Sequence, residues 1–107
     1  MTVRLLGFTS ALAIAAAAPA MAEKHFNRIA TLPVIANMAA GEDVTRESSA
    51  EIISASEDGM TLVYTDSPLG VIGLIDITDP RSPKPLGNID MGGEPTTAVF
   101  IGNRIFA

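Results

Sequence analysis

Apolar and polar positions alternate along much of the chain, in short runs bounded by Gly, Pro, Asp or Ser. Four runs stand in succession: residues 50–59, 60–66, 70–77 and 85–91. Each is rich in β-branched or aromatic residues and too short for a helix of ordinary length, so the pattern predicts four strands separated by turns. Asp58-Gly59 suits the positive backbone angles of a tight hairpin, and residues 67–70, Ser-Pro-Leu-Gly, supply the second turn. Residues 71–77 are apolar at successive positions apart from Gly73 and Asp76, as expected of a strand covered on both faces. Gly73 within it predicts the close approach of another backbone or of a bulky neighbour. Residues 78–85, with Pro80, Pro83 and Pro85, form a stiff connector poor in donors.

Upstream, residues 26–34 alternate well enough to predict one more strand, which Pro33 confines to an edge or an end. Residues 35–49 hold the charged run Glu42 to Glu47 and read as a solvated loop in preference to a short helical turn capped near Thr45. Displacing the chain by 43 residues sets Glu51 on Glu94, Ala55 on Ala98, Gly59 on Gly102, Leu62 on Ile105 and Val63 on Phe106 without a gap. A period of about 40–45 residues holding four strands is that of a β-propeller. The expected fold is therefore all-β: a four-stranded antiparallel blade over residues 50–93 and the start of a second over residues 94–107. Residues 23–49 contribute a strand and a loop. The strand at 29–34 holds the place of an outer strand in a blade whose other three strands would come from elsewhere. A blade is apolar on both faces, so the partners this predicts are further blades of a longer chain.

The first 22 residues change the picture. A positive start with Arg4, an apolar stretch over residues 5–18 and a small-x-small site at Ala20 and Ala22 predict a helical signal peptide cleaved before Glu23. The expected location is the periplasm or the exterior, with no membrane attachment after cleavage. There is no cysteine, so a disulfide framework is excluded. The formal net charge is −5, and no basic cluster is present. Nucleic-acid binding, which draws its affinity from Lys and Arg on phosphates, is not expected.

Candidate chemistry is sparse. Glu51 and Glu94, equivalent in the gapless repeat, would both approach the central channel of a closed ring and there could ligate calcium; capping of strand ends is the simpler reading. Asp76, in an apolar strand, is either a metal or substrate carboxylate or an acceptor for the turn at residues 78–80. His25 is the single histidine, and with no cysteine it leaves neither a zinc set nor a Ser-His-Asp triad. The serines lack a nucleophile-elbow pattern, and Gly92-Gly93-Glu94-Pro95 lacks the Gly-Lys of a phosphate loop. No catalytic residue is assigned.

At residues 73–80, Gly-Leu-Ile-Asp-Ile-Thr-Asp-Pro, followed by Pro83, Pro85 and Gly87, the sequence resembles the LVIVD-type repeat of secreted β-propellers. Residues 26–107 as a whole resemble the opening of the large bacterial secreted propellers grouped as choice-of-anchor proteins, some labelled alkaline phosphatase, esterase-like or phytase-like. The resemblance implies an N-terminal fragment of an exported propeller, a binding or structural module with no activity of its own. The alternative it implies is part of a calcium-dependent phosphoesterase.

Overall fold

The computed structural model describes residues 2 and 24–107; the predicted signal peptide, with Ala20 and Ala22, lies outside them. Six strands form: β1 (Ala50–Ala55), β2 (Thr61–Asp66), β3 (Val71–Asp76), β4 (Lys84–Asp90), β5 (Val99–Ile101) and β6 (Arg104–Phe106). The first four make one antiparallel sheet in the order β1-β2-β3-β4, and β5 and β6 make a separate two-stranded sheet. Among the described residues there is no α-helix, and none of the helical structure is long and apolar enough to cross a membrane. The described strands form no closed barrel or ring.

The turns obey their local chemistry. Between β1 and β2, the Gly59 amide donates to the Ser56 carbonyl at 2.9 Å, and Gly59 takes φ +70°. Asp58 Oδ1 accepts from Ser56 Oγ at 2.6 Å and from the Met60 amide at 2.9 Å, which closes the loop. The pairing of β2 with β3 runs unbroken from Thr61↔Asp76 to Asp66↔Val71. Opposite Gly73 stands Tyr64, and a Cβ built on Gly73 would fall within the Tyr64 ring atoms. The close approach expected at that glycine is thus made by an aromatic ring lying flat over the neighbouring strand.

Alternation splits β2 and β3 between two faces. On one face Val63 and Ile72 are buried with Ala98, and Leu74, Phe100 and Ile105 pack against them, so the β5–β6 hairpin is stacked on this side of the sheet. The other face carries Leu62, Tyr64 and Ile75. Against it lies the N-terminal segment: Ile29 to Leu32 line a cavity with Leu62, Ile75 and Ile77, and Leu32 and Val34 line another with Ile53, Tyr64 and Ile75.

The strand expected at residues 26–34 is therefore corrected. That segment pairs with no strand and passes into a 3-10 turn over Val34–Asn37. Pro33 donates no amide, and Leu32 and Val34 are half-buried against the apolar sheet face while Ile29 stays exposed, so the segment is laid down by its last residues rather than along an edge. Among the described residues nothing pairs with the outer edges of β1 and β4, and β1 is exposed at five of its six positions.

The gapless repeat also needs correction. In the first hairpin Ala55 pairs with Leu62 and residues 57–60 form the loop. In the second, Phe100 pairs with Ile105, Ile101 with Arg104, and only Gly102 and Asn103 remain between. With Leu62 set on Ile105, Ala55 corresponds to Phe100 rather than to Ala98. The shift of two residues keeps every side chain on its own face, which is why a pattern of period two cannot detect it.

Candidate functional site

Each carboxylate proposed from the sequence can be placed. Asp76 ends β3, and its Oδ1 accepts the Thr78 amide at 2.9 Å. Its pKa is held below the ordinary 3.8, first by that amide and then by the Thr78 hydroxyl, with Lys84 opposite adding a smaller pull. Asp76 is thus an acceptor for the turn that follows it. Glu51 lies on β1, exposed, with its Oε2 3.3 Å from Ser67 Oγ. Glu94 is exposed, outside any strand, on the rim of a cleft of about 420 Å³. Counted from the hairpins, the partner of Glu51 in the second repeat is Thr96, so the two glutamates do not occupy equivalent positions.

Ser67, in the turn between β2 and β3, directs its one hydroxyl proton to the Pro95 carbonyl at 2.7 Å, with Glu51 the longer contact, so Glu51 and the segment carrying Glu94 approach the same end of the sheet. Asp76 lies at the other end of β3, about 16 Å away at the usual rise of a strand. Among the described residues no three His, Cys, Asp or Glu side chains converge as a metal ion requires. His25 is exposed.

Every aspartate in the chain accepts a backbone amide. Asp43, Asp58, Asp76, Asp79 and Asp90 each bind the amide two residues on. Such pairs are Asx turns, by which a carboxylate stands in for a backbone carbonyl. Asp43 and Asp58 are acidified by the hydroxyls of Thr45 and Ser56 first, and by the amides of Thr45 and Met60 second. The acidic side chains thus fix turns rather than face a common centre.

Three buried polar residues among those described escaped the sequence reading: Thr65, whose Oγ1 accepts the Ile52 amide at 3.1 Å, Asp66 and Asn37. Asp66, 1 % exposed, accepts from Ser48 Oγ, from the Ser49 amide at 3.0 Å and from the Leu69 amide at 3.2 Å. It joins the loop before β1 to the turn after β2. Asn37, also buried, donates to the Tyr64 hydroxyl at 2.9 Å and accepts the Gly87 amide at 3.0 Å. Burial raises the Tyr64 pKa, and the hydrogen bond from Asn37 partly offsets it. Asp66 carried a weak signal, an acidic residue at the end of an apolar strand; nothing local marked Asn37, whose partners lie 27 and 50 residues away.

Comparison with family models, with curated proteins and with solved structures finds no match. The geometry alone therefore carries the functional reading. The cleft beside Glu94 is lined by Glu42, Arg46, Ser67, Asn88 and Asp90, among others. Its one guanidinium is turned to the Leu69 carbonyl at 3.2 Å, Glu42 binds the Ala39 amide and Asp90 binds the Gly92 amide. These groups close loops onto the sheet, and the Ser67 hydroxyl, beside Glu51, is held by the Pro95 carbonyl at 2.7 Å.

Proposed function

We propose that this chain is a structural and binding module of an exported β-propeller, built to be covered by further sheets. The observation that carries the reading is the β5–β6 hairpin. Its inner residues, Phe100 and Ile105, stack on the first sheet, while Val99, Ile101 and Phe106 on its outer side are left 41 %, 60 % and 51 % exposed. An element apolar on both faces, with one face already stacked on a sheet, has the form of a repeat whose stability comes from its neighbours. Export is supported by the leader-like pattern ahead of Glu23, and exclusion of nucleic acid by the net charge of −5.

A calcium-dependent phosphoesterase would need carboxylates that meet, and the separation of Asp76 from Glu51 and Glu94 gives it no support. The test has two arms. Binding of an apolar fluorescent dye to the purified chain should fall when Val99 and Ile101 are replaced by Thr, with folding verified by circular dichroism. Hydrolysis of a chromogenic phosphomonoester should stay at background with or without calcium. Turnover that is lost in Glu51→Gln or Asp76→Asn would overturn the reading.

A further inference from the structure

We propose that the free edge of β6 is a docking site for one antiparallel strand of the composition found in β3, and that Arg104 selects an acidic residue at that strand's end. The inference rests on the module reading above and names the partner of its second sheet. Its grounds are the register of the first sheet and the charge of the second.

In the first sheet, β2 is covered by β3 through the pairs Thr61↔Asp76, Leu62↔Ile75 and Val63↔Leu74. The outgoing strand of the second hairpin repeats β2, with Arg104, Ile105 and Phe106 in the places of Thr61, Leu62 and Val63. A strand ending in Leu-Ile-Asp, laid on β6 in the same register, sets its Leu opposite Phe106, its Ile opposite Ile105 and its Asp opposite Arg104. The threonine of the first repeat is replaced by a cation at the one position facing the aspartate. Opposite charges directly across a ladder favour pairing, and like charges oppose it.

The surface beneath also fits. The hairpin covers Val63 and Ile72, whereas Ile89, paired with Ile72 and so on the same face, stays 47 % exposed. A strand added beside β6 would extend the stacked layer toward β4 and cover that side chain.

The backbone is ready to accept it. Ile101 and Arg104 flank a two-residue loop and so exchange hydrogen bonds, which leaves the amides of Ile105 and Ala107 directed to the open edge.

The experiment is amide hydrogen exchange, read by NMR on the full chain, with a synthetic peptide of the sequence of residues 70–78. At saturating peptide, exchange at Ile105 and Ala107 should slow about tenfold or more, with little change at Arg104 and Phe106, which are already bonded. A peptide carrying Lys in place of the aspartate at position 76 should bind about two- to fivefold more weakly, and Arg104→Glu should reverse that preference. No slowing, equal slowing by a scrambled peptide, or protection confined to the edges of β1 and β4 would overturn the proposal. So would protection at Ile105 that rises with protein concentration in the absence of peptide, since a second copy would then fill the edge. Loss of dye binding on substituting Val99 and Ile101, with no effect of peptide on β6, would leave the module reading standing and remove only this partner.

Discussion

Gly73 has no side chain, and the ring of Tyr64 occupies the space where one would project. Gly73→Ala should therefore cost about 1–3 kcal/mol of unfolding free energy, the usual penalty for overpacking a site that cannot expand. Combining it with Tyr64→Ala should restore part of the loss, a non-additivity that urea unfolding of the two single variants and the double variant would reveal. Asp66 makes a separate contribution, because one carboxylate satisfies two amides and a hydroxyl on two loops. Asp66→Ala should destabilise by about 1–3 kcal/mol, since buried donors are left without acceptors. Asp66→Asn should cost less, for its oxygen can still serve the Ser49 and Leu69 amides while Ser48 turns its lone pairs to the new NH₂. A loss for Asn as large as that for Ala, measured by the same unfolding, would mean that the charge and not the acceptor matters. The glycine's role was legible from one residue in an apolar run. The buried carboxylate was legible only as a strand end.

Among the elements, the four strands of the first sheet follow from alternation and turn chemistry, and their order follows from short connections. The N-terminal segment does not follow. Its apolar residues suit a strand as well as a strap, and the difference lies in Asn37, which spans from the Tyr64 hydroxyl on β2 to the Gly87 amide on β4. Asn37→Ala would leave that half-buried amide without its acceptor and release the end of the strap. The expected outcome is faster cleavage between residues 24 and 37 in limited proteolysis, with the sheet itself still resistant. Asn37→Asp should keep the acceptor for Gly87 and let the Tyr64 hydroxyl turn to donate, at the cost of a buried charge, so its cleavage rate should fall between. Equal protection of the strap in all three proteins would show that Leu32 and Val34 hold it by burial alone. The second hairpin illustrates the same limit, for its loop is two residues shorter than the first, and a period-two pattern is blind to that difference.

At the scale of the molecule, the Asx turns give a pH response whose sign is fixed. Asp43, Asp58 and Asp76 have pKa values below 3.8 in the folded chain, so the unfolded chain takes up protons first as the pH falls. Their contribution is complete above the unfolded value and is lost as the pH drops through the folded values. Stability should therefore be flat from neutral pH down to mildly acidic conditions and decline below about pH 4. Denaturant midpoints across that range would show the decline, and replacing the three residues by Asn should flatten it. Because all three are solvent-exposed and held by local bonds, the effect should survive high salt, unlike that of an ion-pair network.

What the sequence by itself determined was local: the strands and turns of the first sheet, and the need of Gly73 for a close neighbour; for Asp76 it offered the turn as one of two roles. Those features depend on contacts a few residues apart, or on the two-residue period of a strand, and both are written directly in the order of side chains. Only the tertiary structure decided which apolar face each segment covers. It placed residues 29–34 on one side of the sheet and the β5–β6 hairpin on the other, buried Asn37 and Asp66 between distant segments, and moved Glu94 out of step with Glu51. Burial is not directional, so an apolar segment can lower its free energy on any apolar face that it reaches. The choice among faces belongs to the assembled sheet and the polar atoms that lock each segment onto it.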